Sequence, residues 1–290
     1  MEKQINSLYR SYKKGEIDRR EFIQKAAFYA GSTAAAFTLL GLFENSCANA
    51  TVRQQDDLDD SDLVAEFITY PGETGDVRAY LARPKAENKY PAVMVIHEIW
   101  GLVPHIEDVC RRMAKEGFLS LAPDGLSPFG GTPENGTDNM GEMISKLGSE
   151  QVTNNFVAAV KYLETHPLSN GKVGCTGFCW GGSMTNQVAV LSPDLDAAVP
   201  YYGGQPAAEQ VSLIRAPIMA HYGANDERIN AGIPAFEEAL KKSGLEYQIY
   251  IYEGAGHAFN NDSNPDSYNK EAAELAWERT VSFFKEKLDG

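Results

Sequence analysis

The feature that most constrains this chain is the sequence Gly-Phe-Cys-Trp-Gly-Gly at residues 177–182. Residues 171–176 before it predict a strand, and residues 183–191 after it predict a helix. A Gly-x-nucleophile-x-Gly sequence between a strand and a helix forces a tight turn that leaves no room for a Cβ at the glycines. The turn lifts the Cys179 thiol to the sheet edge, beside a helix N-terminus that favours a thiolate. On this motif alone, a packed and inert cysteine is the alternative interpretation.

An acid and a histidine follow the cysteine in the order that such a turn requires. Asp226 comes shortly after a predicted strand at residues 217–222, and His257 follows a predicted strand at residues 247–252. Because the carboxyl ends of parallel strands meet at one edge of a sheet, we expect Asp226 and His257 to lie close to Cys179.

The rest of the chain predicts an α/β fold. Residues 64–70 and 77–82 predict an antiparallel pair, and the apolar run 92–96 predicts a buried parallel strand. Further predicted strands at about 118–122, 171–176, 195–202, 217–222 and 247–252 are interspersed with predicted helices at about 105–117, 149–166, 181–191, 233–243 and 269–287. This alternation indicates a doubly wound, mostly parallel sheet with helices on both faces. The irregular stretch from Pro123 to Gly141 is predicted to overhang the site.

Three motifs together carry a family resemblance. Residues 97–101 are His-Glu-Ile-Trp-Gly, residues 178–182 are Phe-Cys-Trp-Gly-Gly, and residues 256–259 are Gly-His-Ala-Phe. They resemble the Glu-Ile-Phe-Gly loop, the Tyr-Cys-Leu-Gly-Gly elbow and the Gly-His-x-Phe sequence of the dienelactone hydrolase family, and the likeness covers about residues 62–288. The resemblance implies an α/β-hydrolase fold and a carboxylic ester or lactone hydrolase similar to carboxymethylenebutenolidase.

The resemblance also implies roles for individual residues. It implies a Cys179–His257–Asp226 triad that works through a thioester, and Glu98 as a fourth carboxylate that sets the protonation state of the thiol. It implies an oxyanion hole formed by the backbone N–H groups of Ile99 and Trp180. A carboxylate paired with a surface arginine is the alternative interpretation of Glu98.

Two positions depart from the family pattern. Pro128 and Asn261 stand where the enzyme that names the family has two arginines that bind the substrate carboxylate. Because a bidentate arginine is hard to replace where a carboxylate must be recognised, we expect a neutral ester, lactone or carbohydrate ester as substrate. Arg228 is either a substitute for the missing arginines or a solvated surface residue.

Aromatic and histidine residues near the sheet edge are candidates for contact with a substrate. Trp100, Phe129 and Tyr202 are predicted to wall an acyl pocket, although aromatic residues in such a fold also serve as core. His97 and His105 flank Glu98, and the sequence leaves open whether they touch the substrate.

The N-terminus predicts export. Residues 18–25 are Asp-Arg-Arg-Glu-Phe-Ile-Gln-Lys and resemble a twin-arginine signal, and residues 26–43 follow as a moderately apolar stretch. Cleavage is expected after Ala50, which predicts a periplasmic or exported protein carried by the twin-arginine machinery. Retention as a membrane anchor and a cytoplasmic location are the alternatives. We therefore divide the chain into a signal segment at 1–50, an acidic linker at 51–61 and the hydrolase-like domain at 62–290.

The net charge and the spacing of histidines and cysteines limit the partners and cofactors that this chain is expected to bind. The net charge of −14 argues against nucleic acid, anionic membrane surfaces and polyanionic substrates, so membrane contact is expected only through an uncleaved signal. The histidines and cysteines show no metal-ligand spacing, and neither a metal nor a cofactor is predicted. Cys110 and Cys175 are interpreted as packed thiols, with an opportunistic disulfide after export as the alternative. A monomer or a small homo-oligomer is expected.

Two other functions are compatible with this fold. One alternative is a non-catalytic exported binding protein, because fold alone does not give function. The other is an acyl hydrolase that acts on a larger ester. Retention of the complete Cys, His, Asp and Glu set favours an enzyme, and the width of the mouth formed by residues 123–141 distinguishes small from large substrates.

Overall fold

The computed structural model describes Glu21, Lys25 and residues 60–133, 136–137 and 139–289. The chain divides after Leu58, and the unit Asp59–Gly290 contains the fold described below. The predicted signal segment, apart from Glu21 and Lys25, and most of the acidic linker lie outside the described residues. Within the described part of the chain, no helix is both long and apolar enough to cross a membrane.

Eight strands form one sheet in the order β1-β2-β4-β3-β5-β6-β7-β8. Their bounds are β1 Leu63–Gly72, β2 Gly75–Pro84, β3 Tyr90–Ile96, β4 Leu119–Pro123, β5 Ser169–Phe178, β6 Ala197–Tyr201, β7 Ile218–Gly223 and β8 Tyr247–Tyr252. Strand β2 is antiparallel to both β1 and β4, and every other neighbouring pair is parallel. The predicted hairpin and the mostly parallel sheet are confirmed.

Helices connect the strands of the sheet. Their bounds are α1 Pro104–Lys115, α2 Met140–Leu147, α3 Ser149–Thr165, α4 Trp180–Leu191, α5 Ala208–Val211, α6 Glu227–Asn230, α7 Ile233–Ser243 and α8 Lys270–Leu288. A short 3₁₀ helix covers Ser127–Phe129. The 3₁₀ helix and the start of α2 fall in the stretch from Pro123 to Gly141 that the sequence predicts as irregular, because prolines and glycines there hide any helical period.

Two apolar layers cover the sheet, one on each face. One layer packs Phe156 of α3, Val188 of α4 and Phe236 of α7 against the strands. The other packs Val109 of α1 and Phe284 of α8 against the opposite face. Burial on both faces explains why the central strands are nearly continuous apolar runs, and it confirms the doubly wound α/β fold. The polar residues of interest are thereby left to the loops at the carboxyl edge.

Candidate active site

The turn between β5 and α4 is a strained elbow with Cys179 at its tip. Cys179 has φ 56° and ψ −114°, a conformation that residues other than glycine rarely adopt. A Cβ on Gly181 would collide with the carbonyl oxygen of Ile96, and one on Gly182 with that of Tyr201. The glycines therefore let α4 approach the strands closely enough to hold Cys179 in this conformation.

The structure brings Cys179, His257 and Asp226 together from three different loops. Cys179 Sγ lies 3.1 Å from His257 Nε2, and His257 Nδ1 lies 2.5 Å from Asp226 Oδ2. Asp226 also accepts a hydrogen bond from the backbone N–H of Ile229 at 3.4 Å, at the start of α6. With Nδ1–H donating to the carboxylate, the lone pair of Nε2 faces the thiol and can accept its proton.

The thiol of Cys179 is protonated in this state. Burial and the neighbouring charge of Glu98 raise its pKa to about 11, against the smaller opposing effects of the Trp180 backbone N–H and Arg228. The backbone N–H of Trp180 at the helix N-terminus does favour the thiolate, but desolvation and the like charge of Glu98 outweigh it. A proton acceptor is consequently needed before the sulfur can attack, and His257 is in place to serve as one.

Glu98 is a buried carboxylate, 4% exposed, on the loop after β3. Its Oε2 accepts a hydrogen bond of 2.8 Å from Asn261 Nδ2, so the alternative of pairing with a surface arginine is wrong. Burial raises the pKa of Glu98, and the charge of His105, the Asn261 bond and the charge of His257 act in the opposite direction. The Asn261 amide thus holds the Glu98 carboxylate through one of its N–H groups.

His97 holds the Glu98 loop in place from below. Its Nε2 accepts a hydrogen bond of 2.9 Å from the Gly125 backbone N–H, so its Nδ1 donates to the Glu98 carbonyl oxygen at 2.7 Å. The ring is fully buried and stacks on Trp180, with 5.3 Å between the ring centroids. Burial lowers the pKa of His97 and keeps it neutral. His97 therefore does not face a substrate; it joins three loops, a role that the sequence did not indicate.

The Glu98 loop and the stretch after β4 are tied together by Asp124 and Thr132. The Asp124 carboxylate accepts hydrogen bonds from the backbone N–H and the hydroxyl of Thr132, each at 2.7 Å. The Thr132 hydroxyl oxygen in turn accepts a bond of 2.9 Å from the Leu102 N–H. Asp124 also accepts a hydrogen bond of 3.0 Å from the Leu126 N–H and so caps the turn after β4. These loops, residues 98–102 and 124–132, form one connected rim.

The candidate pocket residues divide into two groups. On the rim, Ile99, Trp100 and Phe129 are 42%, 43% and 38% exposed, so these loops present apolar surface to solvent. Tyr202 is fully buried, with its ring edge-on to His257 at 5.2 Å between the centroids. Tyr202 therefore packs behind the imidazole in this state and does not form an open wall of the pocket.

The other two cysteines that the structure describes, Cys110 and Cys175, are buried free thiols. Cys110 Sγ donates to Ser120 Oγ at 3.1 Å, and Cys175 Sγ contacts Thr185 Oγ1 at 3.6 Å. Burial raises the pKa of each to about 12. Among the residues that the structure describes, no three His, Cys, Asp or Glu side chains are grouped so that they could hold a metal ion.

Comparison with known proteins places the chain in a family. The model of the dienelactone hydrolase family matches residues 77–288. The chain belongs to the dienelactone hydrolase family. A Methylorubrum extorquens protein provisionally named a carboxymethylenebutenolidase is 34% identical over 242 residues, which span 79% of this chain and 83% of that protein. An Aquifex pyrophilus relative, protein usf, is 36% identical over 222 residues, which span 73% and 94%.

Solved structures give the same result for the fold. A crystal structure from Klebsiella pneumoniae, provisionally described as a dienelactone hydrolase, has a TM-score of 0.69 and 30% identity, and covers 77% of this chain and 98% of that one. The dienelactone hydrolase-like promiscuous phosphotriesterase P91 from metagenomic libraries has a TM-score of 0.70 with 22% identity and coverage of 78% and 99%. The Klebsiella pneumoniae structure, at 30% identity, agrees with the family assignment. The P91 structure, at 22% identity, supports the fold alone. The protein is a dienelactone hydrolase-like hydrolase.

Proposed function

We propose that this hydrolase cleaves a neutral carboxylic ester or lactone through Cys179, with His257 as the proton carrier and Asp226 as its orienting acid. The observation that carries the proposal is the continuous contact from Sγ to Nε2 at 3.1 Å and from Nδ1 to the Asp226 carboxylate at 2.5 Å. A nucleophile, a base and an orienting acid in hydrogen-bond reach are the minimal set for acyl transfer.

The proposed reaction has two halves. Cys179 Sγ attacks the carbonyl carbon while its proton passes to His257 Nε2, and Asp226 stabilises the resulting imidazolium. The imidazolium then returns the proton to the leaving alkoxide, which leaves a thioester on Cys179. In the second half, His257 takes a proton from water, the hydroxide attacks the thioester carbonyl, and the thiolate leaves and is reprotonated.

The tetrahedral intermediates need donors for their oxyanion. The resemblance assigns this role to the backbone N–H groups of Ile99 and Trp180. In support, the Trp180 N–H already interacts with the Cys179 sulfur, and Ile99 follows Glu98 on the loop that His97 fixes. One such donor contributes about 3 kcal/mol in measured cases.

The residues at the two positions that lack the arginines of the family, Asn261 and Pro128, support a neutral substrate. Asn261 donates to Glu98, and its carbonyl oxygen accepts from the Ser263 N–H at 3.1 Å, so this neutral side chain is already engaged and offers no positive charge to a carboxylate. Pro128 offers no hydrogen-bond donor at the other position. The exposed apolar side chains of Ile99, Trp100 and Phe129 suit an apolar acyl or alcohol part.

The test is a trapping experiment on a neutral aryl ester. The purified chain is mixed with an aryl acetate, quenched in acid and analysed by peptide mass spectrometry, beside Cys179→Ala. We expect steady turnover and an acetyl group on the peptide that contains Cys179, with both absent from the variant. Equal turnover in both proteins would contradict the proposal. An inert wild type whose Cys179 also resists alkylation would favour a binding protein on the same fold.

We further propose that residues 1–50 act as a twin-arginine signal that is cleaved after Ala50 and places the protein in the periplasm. The support is the Arg19-Arg20 pair, the apolar stretch at 26–43 and the Ala-Asn-Ala site at 48–50. The test is cell fractionation with N-terminal mass analysis, beside a variant in which Arg19 and Arg20 are both lysine. A mature N-terminus at Thr51 in the wild type, but not in the lysine variant, would support export. A wild-type protein found in the cytosol with Met1 intact would contradict it.

A further inference from the structure

A groove lies between the edge strand β8 and helix α8, and its lining residues are distinct from those of the candidate active site. It offers a volume of about 350 Å³, which is in the range of small-molecule sites. Strands β7 and β8 and helix α8 supply its walls, which include Met219, Tyr250, Leu275, Glu278, Arg279 and Glu286. The groove therefore combines one cationic side chain with apolar and acidic ones.

The guanidinium of Arg279 is held flat against an aromatic ring of the groove. Its central carbon lies 3.9 Å from the centroid of the Tyr250 ring, and its Nη1 donates a hydrogen bond of 3.2 Å to the Tyr252 hydroxyl. In the part of the chain that the structure describes, no carboxylate forms an ion pair with Arg279, and Glu286 bonds to Lys287 instead, at 2.7 Å. Because a guanidinium has five N–H donors, most of those on Arg279 are open to a ligand.

A chain of hydrogen bonds fixes Arg279 from the inside. The Thr280 hydroxyl donates to the Ala276 carbonyl oxygen at 2.8 Å, so its oxygen accepts from the Nε2–H of His221 at 3.1 Å. His221 Nδ1 then accepts from the Tyr252 hydroxyl at 2.9 Å, and the oxygen of that hydroxyl accepts from Arg279. Both nitrogens of the buried imidazole are thus satisfied. The network holds the guanidinium in one position before a ligand arrives, which lowers the entropy cost of binding.

The remainder of the groove favours an apolar ligand that carries a single negative charge. Leu275, 40% exposed, lies one helical turn before Arg279 on α8, so both side chains lie on the same side of the helix. Met219 adds apolar surface from β7. Glu278 and Glu286 are exposed at the groove and repel a ligand with two negative charges.

We propose that the groove between β8 and α8 is a second binding site, which takes a small monocarboxylate with an apolar or aromatic body. The carboxylate accepts charge-assisted hydrogen bonds from the open N–H groups of Arg279, and the apolar body covers Leu275 and Met219. A neutral molecule of the same shape binds less tightly because it lacks the charge that pairs with Arg279. The proposal goes beyond the proposed function and does not rest on it.

The test is a titration with benzoate, followed by NMR on the full chain labelled with carbon-13 at the methionine methyl groups. A benzoate ring in the groove shifts the methyl signal of Met219, which Met219→Leu assigns. Met184, which follows Cys179 closely on α4, reports on the candidate active site in the same spectrum. We expect the Met219 signal to saturate with benzoate. Benzamide, the neutral counterpart, should bind at least about tenfold more weakly.

Two variants of the groove and one matched control complete the test. Arg279→Gln should weaken benzoate binding at least about tenfold, because an amide offers no positive charge to a carboxylate. Arg215→Gln removes the same charge from an exposed position before β7 and should leave the Kd within about twofold of wild type. Leu275→Glu should also weaken binding, because it places a negative charge on the apolar wall. Since Leu275 is partly exposed, this variant tests the site even if Arg279→Gln does not fold.

Three results would overturn the proposal. The first is a Met219 signal that benzoate does not move, or a Kd that neither Arg279→Gln nor Leu275→Glu changes. The second is a shift of Met184 without a shift of Met219, which would place benzoate in the candidate active site only. The third is a Met219 signal that changes with protein concentration in the absence of benzoate, which would mean that a second copy of the chain covers the groove. The proposed ester cleavage fails separately, if Cys179→Ala still hydrolyses the aryl ester.

Discussion

Cys175 and Cys179 lie four residues apart on one strand-to-elbow segment, yet their surroundings differ completely. Burial raises the pKa of both, to about 12 for Cys175 and about 11 for Cys179, so acidity hardly separates them. Cys175 is fully buried, and its sulfur contacts the Thr185 hydroxyl and the Thr176 carbonyl oxygen, whereas Cys179 is partly exposed and faces His257 at 3.1 Å. The difference teaches that a neighbouring base and access to the sulfur, more than thiol pKa, distinguish the candidate nucleophile from a packed thiol.

The largest expected effect comes from making Cys179 resemble Cys175. His257→Gln removes the base and leaves only a neutral hydrogen-bonding group at the sulfur. We expect kcat/KM for an aryl ester to fall about 10⁴-fold, the scale seen when a triad member is lost. Initial rates measure this, and Cys175→Ala is the control, with activity within about twofold of wild type. Comparable losses of kcat/KM in His257→Gln and Cys175→Ala would mean that both substitutions act by disturbing the fold and not by removing a catalytic group.

The next effect concerns selectivity toward alkylation. We expect iodoacetamide to modify Cys179 at least about 100-fold faster than Cys175 at pH 8, because Cys175 reacts only when the core opens. Because the pKa of the Cys179 thiol is raised, its thiolate fraction grows about tenfold per pH unit up to about pH 11. The thiolate fraction of an ordinary cysteine levels off above about pH 8.5. Peptide mass spectrometry over pH 7–10 measures both. A plateau near pH 8 would contradict the thiol state described here.

A smaller effect tests the elbow that separates the two cysteines. Gly181→Ala places a methyl group against the Ile96 carbonyl, and we expect it to lower the free energy of unfolding by about 2 kcal/mol, measured by urea denaturation. Gly141→Ala, in α2 with open space around the new methyl, is the control and should be neutral or slightly stabilising. Equal stability of the two variants would show that the elbow can relax.

The smallest expected effect is that of Arg228. Its charge lowers the pKa of Cys179, and Arg228→Gln should therefore slow alkylation at pH 8, by less than about threefold since the side chain is exposed and screened. The difference should vanish in 1 M salt. A loss of ester hydrolysis far beyond the loss of alkylation would instead make Arg228 a substrate-binding residue and would undermine the case for a neutral substrate.

The fold could be predicted from the sequence because its signals are local. Apolar runs of strand length alternate with amphipathic stretches, and glycines at 177, 181 and 182 specify a turn too tight for side chains. The meeting of Cys179, His257 and Asp226 follows from the same logic, since parallel strands deliver their following loops to one edge.

Contacts set by side-chain direction could not be predicted in this way. The sequence flagged Asn261 as a missing arginine but gave no sign that its amide reaches Glu98, 163 positions away. It treated His97 and His105 as equal candidates for substrate contact, although the structure buries both. Orientation of this kind depends on packing between distant segments, which no spacing along the chain encodes.

The Asp124–Thr132–Leu102 connection has a consequence for engineering of the rim. Because one hydroxyl both donates to Asp124 and accepts from the Leu102 N–H, residues 124–132 and 98–102 share a single polar joint. A graft of residues 124–132 that lacks a hydroxyl at position 132 would remove one donor from the buried Asp124 carboxylate and leave the Leu102 N–H without its acceptor. The two loops should therefore be exchanged together, and a residue with a hydroxyl group should be kept at position 132.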